Sequence, residues 1–499
     1  MSILKRFGYS YALNIISLLF TFLSGIYLAK LFGPATYGIF AYMTALFGGF
    51  FYMFDLGSSN AFFTFSSKEK KHISFYRNYG LFLLNLLLIV ILFFFFIPEF
   101  IYEYFQFQIE RGMLLIVISA IFLRSHLWNI IKKVYESRRL SITISVVNMF
   151  ITIAYYLIII LFDNLYGLNI ALIFKIILIE YLIFSILIFI LAPISLSDNA
   201  SSNNSFKDYY RYCLPIAPML FFGGFVKALE PWLINFFGDT EQQAYYSISL
   251  QFTMILVLAL SSIINIFWKE IAENIEEGRF DKVGLLYLRS ARYLLIFMTV
   301  GSFFLFFQAT NIVNLFLGAD YSNAVIPMQI LFLYPCLQVF GQLNNVMFLA
   351  NETTKIYAKY GFLHVLFSML TSIIGLSIIT NFTSDLISIA SFMALKVLFI
   401  DFLFMLITTK EISKMFKIYS GFNFIYLIPS AVCLYAYVIF QITQLFVPME
   451  VVTVNILLNA VIYLIFLIFI IYKYPKALFI SKEDSLILRK KLKLQKNII

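Results

Sequence analysis

Residues 9–32 read YSYALNIISLLFTFLSGIYLAKLF, entered from Lys5 and Arg6 and left through Gly33-Pro34, with Lys30 as the one charge in the run. A cleavable signal peptide also starts on basic residues, but its apolar region runs only about 7 to 15 positions and ends at small side chains. This run is longer. A helix needs roughly 20 residues to cross the hydrocarbon of a bilayer, so the segment predicts a retained membrane-spanning helix.

The rest of the chain repeats the pattern. Of 499 residues, 62% are apolar and only 12% charged, which leaves too little polar surface for a soluble protein of this size. Runs long enough to span fall at 9–32, 37–65, 79–97, 112–131, 140–162, 168–192 and 213–237, then at 242–268, 293–317, 325–350, 360–380, 386–409, 423–445 and 451–472. The expected fold is an all-α integral membrane protein of about fourteen transmembrane helices, as two six-helix lobes and a C-terminal helix pair. The domains this implies are an N-terminal lobe at 1–192, a polar linker at 193–212, a C-terminal lobe at 213–410, the last pair at 411–473 and a basic tail at 474–499.

Charge fixes the topology. With the N-terminus inside, the connections alternate, and thirty of the 36 basic residues fall on the inner side, among them Lys5, Lys68, Lys132, Lys133, Arg138, Arg279 and the Lys/Arg-rich tail. The outer connections hold Arg111 alone, beside acids such as Glu99, Asp163, Asp320 and Glu450. This asymmetry requires an even helix count, places both termini in the cytoplasm, and assigns the net charge of +10 to anionic membrane lipids rather than nucleic acid. The inner link 269–292 mixes charges at helical spacing and is expected to lie on the membrane surface. A weak echo, Glu136-Ser137-Arg138-Arg139 against Glu352-Thr353-Thr354-Lys355, supports two parallel halves.

Nine ionisable residues interrupt the apolar runs. They are Lys30, Arg124, Lys175, Lys227 and Lys396, with the acids Asp55, Glu180, Glu230 and Asp401. Each costs roughly 2.5–3.5 kcal/mol at a helix centre, so each belongs in a bundle interior, in a wet cavity or beside a partner. Lys30 is close enough to a helix end to snorkel. Lys227 and Glu230 share a helix face, as an ion pair would. Lys175/Glu180 and Lys396/Asp401 are about 140° apart around their helices and need partners elsewhere. Two readings follow: interhelical locks, or a cation-lined cavity for an anionic substrate with the carboxylates setting ion coupling. Arg124 is the leading candidate for substrate binding, because no acid lies within one helical turn of it. Gln338, Gly341, Gln342 and Asn345 form one polar stripe that either lines a path or hydrogen-bonds between helices. Pro215, Pro218, Gly223, Gly224 and Pro231 mark a helix expected to bend.

Catalytic and cofactor signatures are lacking. The sequence has no phosphate-binding lysine loop, no HExxH and no paired-cysteine site, and Cys213, Cys336 and Cys433 stand far apart. The expectation is a transporter without metal or cofactor.

Several stretches resemble one family. Leu28-Ala29-Lys30-Leu31-Phe32-Gly33-Pro34-Ala35-Thr36-Tyr37-Gly38, Phe54-Asp55-Leu56-Gly57, the opening of the second half from Tyr209 to Glu270, Leu317-Gly318-Ala319-Asp320-Tyr321 and Phe348-Leu349-Ala350-Asn351-Glu352 are similar to elements of polysaccharide flippases, the Wzx-type O-antigen and capsule repeat-unit translocases of the MOP superfamily. Glu230-Pro231 departs from the Asp usual at that point. The resemblance covers roughly residues 5 to 410. It implies a bacterial cytoplasmic (inner) membrane, alternating access, and translocation of an undecaprenyl-pyrophosphate-linked oligosaccharide for surface polysaccharide, O-antigen, capsule or lipopolysaccharide, alongside other assembly proteins. Between Lys417 and Lys473 the only charge is Glu450, which would suit a lipid-facing groove for the polyprenyl tail at the last helix pair. Two alternatives remain open: a multidrug efflux transporter of the related MATE type, and a membrane polysaccharide polymerase or glycosyltransferase.

Overall fold

The computed structural model describes residues 3–68, 73–191, 211, 213–382, 387–416, 427–446 and 452–473. The linker expected at 193–212, the tail at 474–499 and Glu450 lie almost wholly or wholly outside them. Every regular element among the described residues is helical.

α1 runs from Ile3 to Asp55 and is interrupted at Gly33, where φ is 67° and ψ 174°. An L side chain resists that conformation. Pro34 then opens the second segment, where its missing N–H costs nothing. The two runs expected at 9–32 and 37–65 are thus nearly continuous through Gly33, and the second breaks earlier than expected, at Leu56-Gly57. α2 (Ser58–Lys68), α3 (Ile73–Phe96) and the short α4 (Glu99–Tyr104) follow. α5 (Arg111–Ile121) and α6 (Trp128–Ser137) are joined through one π-helical stretch, Phe122–Leu127. Next come α7 (Ser141–Tyr166), α8 (Ile170–Leu191), α9 (Ala217–Phe237), α10 (Thr240–Glu276) and α11 (Phe280–Phe316). After a 3-10 turn at Ala319–Ala324, the chain continues as α12 (Val325–Leu331), α13 (Tyr334–Ala350), α14 (Thr354–Phe382), α15 (Ile389–Phe416), α16 (Leu427–Phe446) and α17 (Val452–Lys473).

Among the described residues, eleven helical stretches are long and apolar enough to cross a membrane. Apolar side chains that a soluble protein would bury stand outward on them, Ile89 at 59% and Leu157 at 58% exposure for example, as a lipid solvent allows. The link 269–292 differs from expectation. It does not form a separate surface segment, because α10 continues to Glu276 and α11 begins at Phe280, with Gly278 at φ 70° turning the chain between them. The helically spaced charges there belong to the ends of two long helices.

The chain divides into two compact units. Unit 1 comprises residues 1–244 and 369–389, and unit 2 comprises 245–368 and 390–499. In unit 1, α1 packs on α7 and α9, and α5 on α8. Its glycines set the closest crossing. A Cβ on Gly49 would stand 2.5 Å from the Ala228 nitrogen, one on Gly224 would overlap Met53 backbone, and one on Gly38 would overlap the Thr240 carbonyl. Small residues let membrane helices approach where no hydrophobic force between them exists, so Gly224 serves a crossing as well as any bend. In unit 2, α11 is the central helix and packs against α13, α16 and α17. Its buried face carries Val283, Tyr287, Leu294 and Met298, joined by Val339, Leu343 and Met347 of α13. Tyr463 of α17 ties the last pair to α11, donating to the Val300 carbonyl at 3.1 Å.

Candidate functional site

In unit 1 the site begins at a break in the backbone. Leu56 and Gly57 both take positive φ, 50° and 82°. Such a conformation costs a leucine on the order of 1–2 kcal/mol. The Asp55 carboxylate offsets that cost by capping the next helix. Its Oδ1 accepts from the Ser58 hydroxyl at 2.7 Å and the Ser59 N–H at 3.1 Å, and its Oδ2 accepts from the Ser59 hydroxyl at 3.0 Å. A carboxylate at a helix N-terminus is favoured by the unpaired N–H groups and the helix dipole.

Opposite this corner, the π-helical stretch inserts one extra residue into the helix, as often occurs where side chains must be re-aimed. His126 points its Nε2 to within 3.7 Å of Asp55 Oδ1. Two turns later, the Lys133 ammonium donates to Ser59 Oγ and Asn60 Oδ1, both at 2.9 Å. These groups wall a cavity of about 370 Å³, with Tyr52, Lys132 and Glu136 also on its lining. The Lys227 ammonium, from α9, lies 3.9 Å from the centre of the Tyr52 ring, a cation–π contact. Two lysines and a histidine thus line the cavity with two carboxylates, and a third lysine, Lys227, stands against the Tyr52 ring. With Lys227 counted, the balance favours an anion.

Arg124 is placed apart from this cavity. Its guanidinium lies 5.4 Å from the centre of the Tyr155 ring, with Tyr181 and Glu180 acting on it electrostatically. Glu180 is buried, and neither carboxylate oxygen has a hydrogen-bond partner. Hence the acid missing from Arg124's own helix arrives from α8. Lys175, on the same helix as Glu180, is exposed, as is Lys30, while Glu230 is half-buried on α9.

In unit 2 a second cavity, of about 260 Å³, is lined by Gln338, Gly341 and Asn345 of α13, His364 of α14 and Asp401 of α15. The His364 Nε2 and Asp401 Oδ1 are 2.7 Å apart, and Gln338 Nε2 donates to Asp401 Oδ2 at 2.9 Å. Gln342 does not line this cavity. Lys396 is buried rather than on the cavity, and its ammonium donates to Ser368 Oγ at 3.1 Å. Behind the wall, Asn344 accepts from the Tyr287 hydroxyl at 2.7 Å and donates to Thr408 and Thr409.

The structure therefore gathers Asp55 with His126, Lys133 and nearby Lys227, and Arg124 with Glu180. In the other unit it gathers Asp401 with Gln338. It leaves Lys30 and Lys175 on the outside. Sequence reasoning took Lys132 and Lys133 only as topology charges and gave His364 no role. Spacing along the chain carries no signal for Lys133 and His364, because each meets its partner on a different helix.

No protein-family model matches the chain, and no curated protein matches it in sequence. Solved structures do match in fold. The Lipid II flippase MurJ in an inward closed conformation superposes with a TM-score of 0.69 over 94% of this chain and 99% of that one, at 19% identity. An inward-facing multidrug resistance MATE family transporter of the MOP superfamily gives 0.62 over 81% and 96%, at 15% identity. A MOP superfamily transporter from Pyrococcus furiosus gives 0.54 over 82% and 94%, at 11% identity. The chain has the MOP-type transporter fold.

Proposed function

We propose that this protein is a flippase that carries an undecaprenyl-pyrophosphate-linked oligosaccharide from the inner to the outer leaflet of the bacterial cytoplasmic membrane, for surface polysaccharide assembly. The observation that carries the reading is the unit 1 cavity. A pyrophosphate in a bilayer needs cations and hydrogen-bond donors already in place, and Lys132, Lys133, His126 and nearby Lys227 supply them in a chain that is otherwise sparing of charge. The fold likeness to a lipid II flippase supports a lipid-linked substrate. On this reading residues 1–192 and 213–410 are the lobes that alternate access, both termini are cytoplasmic, and Asp55, Glu180, Glu230 and Asp401 carry ion coupling. Arg124, Lys396, Lys30 and Lys175 act as further cations along the route, and the helix pair α16–α17 receives the polyprenyl tail.

A second reading, multidrug efflux, is favoured by the likeness to MATE transporters and by a carboxylate, Asp401, among aromatic rings in unit 2.

The test is complementation of a deletion strain with Lys132→Ala/Lys133→Ala and, separately, Arg124→Ala/Lys396→Ala, at matched expression. The expected result is loss of surface polysaccharide, with lipid-linked units trapped in the inner leaflet. Unchanged export with the first pair sinks the cavity assignment, and with the second pair it removes those two cations from the route. Drug hypersensitivity without a polysaccharide defect establishes the efflux reading, and accumulation of single units in the outer leaflet establishes a polymerase.

A further inference from the structure

The unit 2 cavity differs chemically from the unit 1 cavity. Among the described residues that line it there is no lysine or arginine, so it offers an anion no balancing charge and Asp401 repels one. Its carboxylate is not an open counter-ion either, since one oxygen faces His364 Nε2 at 2.7 Å and the other accepts from Gln338 at 2.9 Å. What it presents instead is hydrogen-bonding capacity of both senses. Gln338 retains its carbonyl oxygen and a second N–H, Asn345 exposes a whole amide, and Asp401 keeps further lone pairs. A cation would use only the acceptors. An alkyl chain would leave all of them unpaired, at a penalty for each.

Aromatic rings complete the lining. Tyr357, Tyr360 and Phe404 line the same space, and Phe404 meets His364 edge-to-face with centres 5.1 Å apart, which holds the imidazole in place. Flat apolar faces beside planar groups that both donate and accept match one ligand chemistry: a ring whose C–H faces are apolar and whose rim carries hydroxyls. The volume, about 260 Å³, lies below the roughly 300–1,000 Å³ that drug-sized ligands occupy, which limits the occupant to one ring. Gly341 leaves that room. A Cβ there would meet nothing closer than the Gln338 amide, at 3.8 Å.

We infer that this cavity is a binding subsite for a single uncharged sugar ring, held by Gln338, Asn345, His364 and Asp401 against the Tyr357, Tyr360 and Phe404 rings. The inference rests on the flippase reading for its biological substrate, but its chemistry stands on the cavity alone.

The test uses the full chain in detergent and saturation-transfer NMR with glucose, galactose, N-acetylglucosamine and, as a cation probe, tetraethylammonium. Transfer to at least one sugar is expected in the parent protein. Gly341→Leu fills the space and Asn345→Leu removes an amide. Each should lower sugar affinity about tenfold, the range a lost buried hydrogen bond commands, while Leu157→Ala, on an outward apolar face, leaves it unchanged. Gly341→Ala, which fits the space, controls for folding. Absence of transfer to every sugar, equal transfer in the two Leu variants, or transfer to tetraethylammonium that Gly341→Leu abolishes would each overturn the assignment. Failure of the two readings is separable. Intact polysaccharide export with no sugar binding removes the subsite and keeps the flippase. Sugar binding in a protein whose deletion leaves export intact does the reverse.

Discussion

Gly48 and Gly49 are adjacent on α1 and should respond to alanine with opposite signs. A Cβ on Gly48 meets nothing within 4 Å, since that position opens on the unit 1 cavity. Gly48→Ala therefore removes only the entropic cost of glycine in a helix and should stabilise by about 0.5–1 kcal/mol. A Cβ on Gly49 would lie 2.5 Å from the Ala228 nitrogen, 2.7 Å from its Cα and 2.8 Å from the Lys227 carbonyl carbon, all backbone atoms of α9. Ordinary contact begins near ~3.5 Å, so α1 and α9 would have to part by about 1 Å along this crossing. Overpacking of that kind costs about 1–3 kcal/mol. Less the helix-propensity gain, Gly49→Ala should destabilise by about 1–2 kcal/mol, leaving a difference of roughly 2–3 kcal/mol between neighbouring positions. Reversible unfolding of the purified protein in mixed micelles measures both. Equal effects of the same sign would show that α1 and α9 do not cross at Gly49.

The Asp55 cap predicts a graded series. Asp55→Asn keeps the acceptor for Ser58 and the Ser59 N–H and should cost about 1 kcal/mol, whereas Asp55→Ala loses all three bonds and should cost about 2–4 kcal/mol, read by the same unfolding assay. Equal losses would remove capping as the role. In unit 2, Tyr287→Phe removes one of the buried Asn344 side chain's hydrogen bonds, whereas Asn344→Leu removes all three, to Tyr287, Thr408 and Thr409. The first should cost about 1 kcal/mol and the second about 2–3 kcal/mol. At Gly33, with φ at 67° and nothing within 4 Å of a Cβ, alanine is strained by conformation alone. A loss of about 1–3 kcal/mol in thermal unfolding is expected, with no further loss for Gly33→Ser.

The candidate sites were legible in part. Asp55 and Asp401 stood out because a carboxylate in an apolar run demands an explanation, and the stripe Gln338, Gly341, Asn345 was visible from helical spacing. Arg124 stood out for having no acid nearby in sequence, yet Glu180 acts on it from α8. Lys133 had the opposite fate. It merged into a run of charge expected to face the cytoplasm, and only its bonds to Ser59 and Asn60 lift it out. The segment 269–292 looked like a surface link because charges ended the apolar run, whereas a helix can extend past the hydrocarbon as long as its polar residues reach water.

Hydropathy and charge, read from the sequence by itself, determined that this is an all-helical membrane protein, and the alternation of basic connections set the topology expected for it. These are properties of single residues, since the cost of moving a side chain between water and lipid depends on its own chemistry and accumulates along one segment. The tertiary structure decided which polar groups meet. His126 finds Asp55 and His364 finds Asp401 across helix pairs. Each successive residue turns about 100° around its helix axis, so which side chain faces a neighbouring helix is set by how the helices cross. In unit 1 that crossing depends on the few glycines that let α1 and α9 touch.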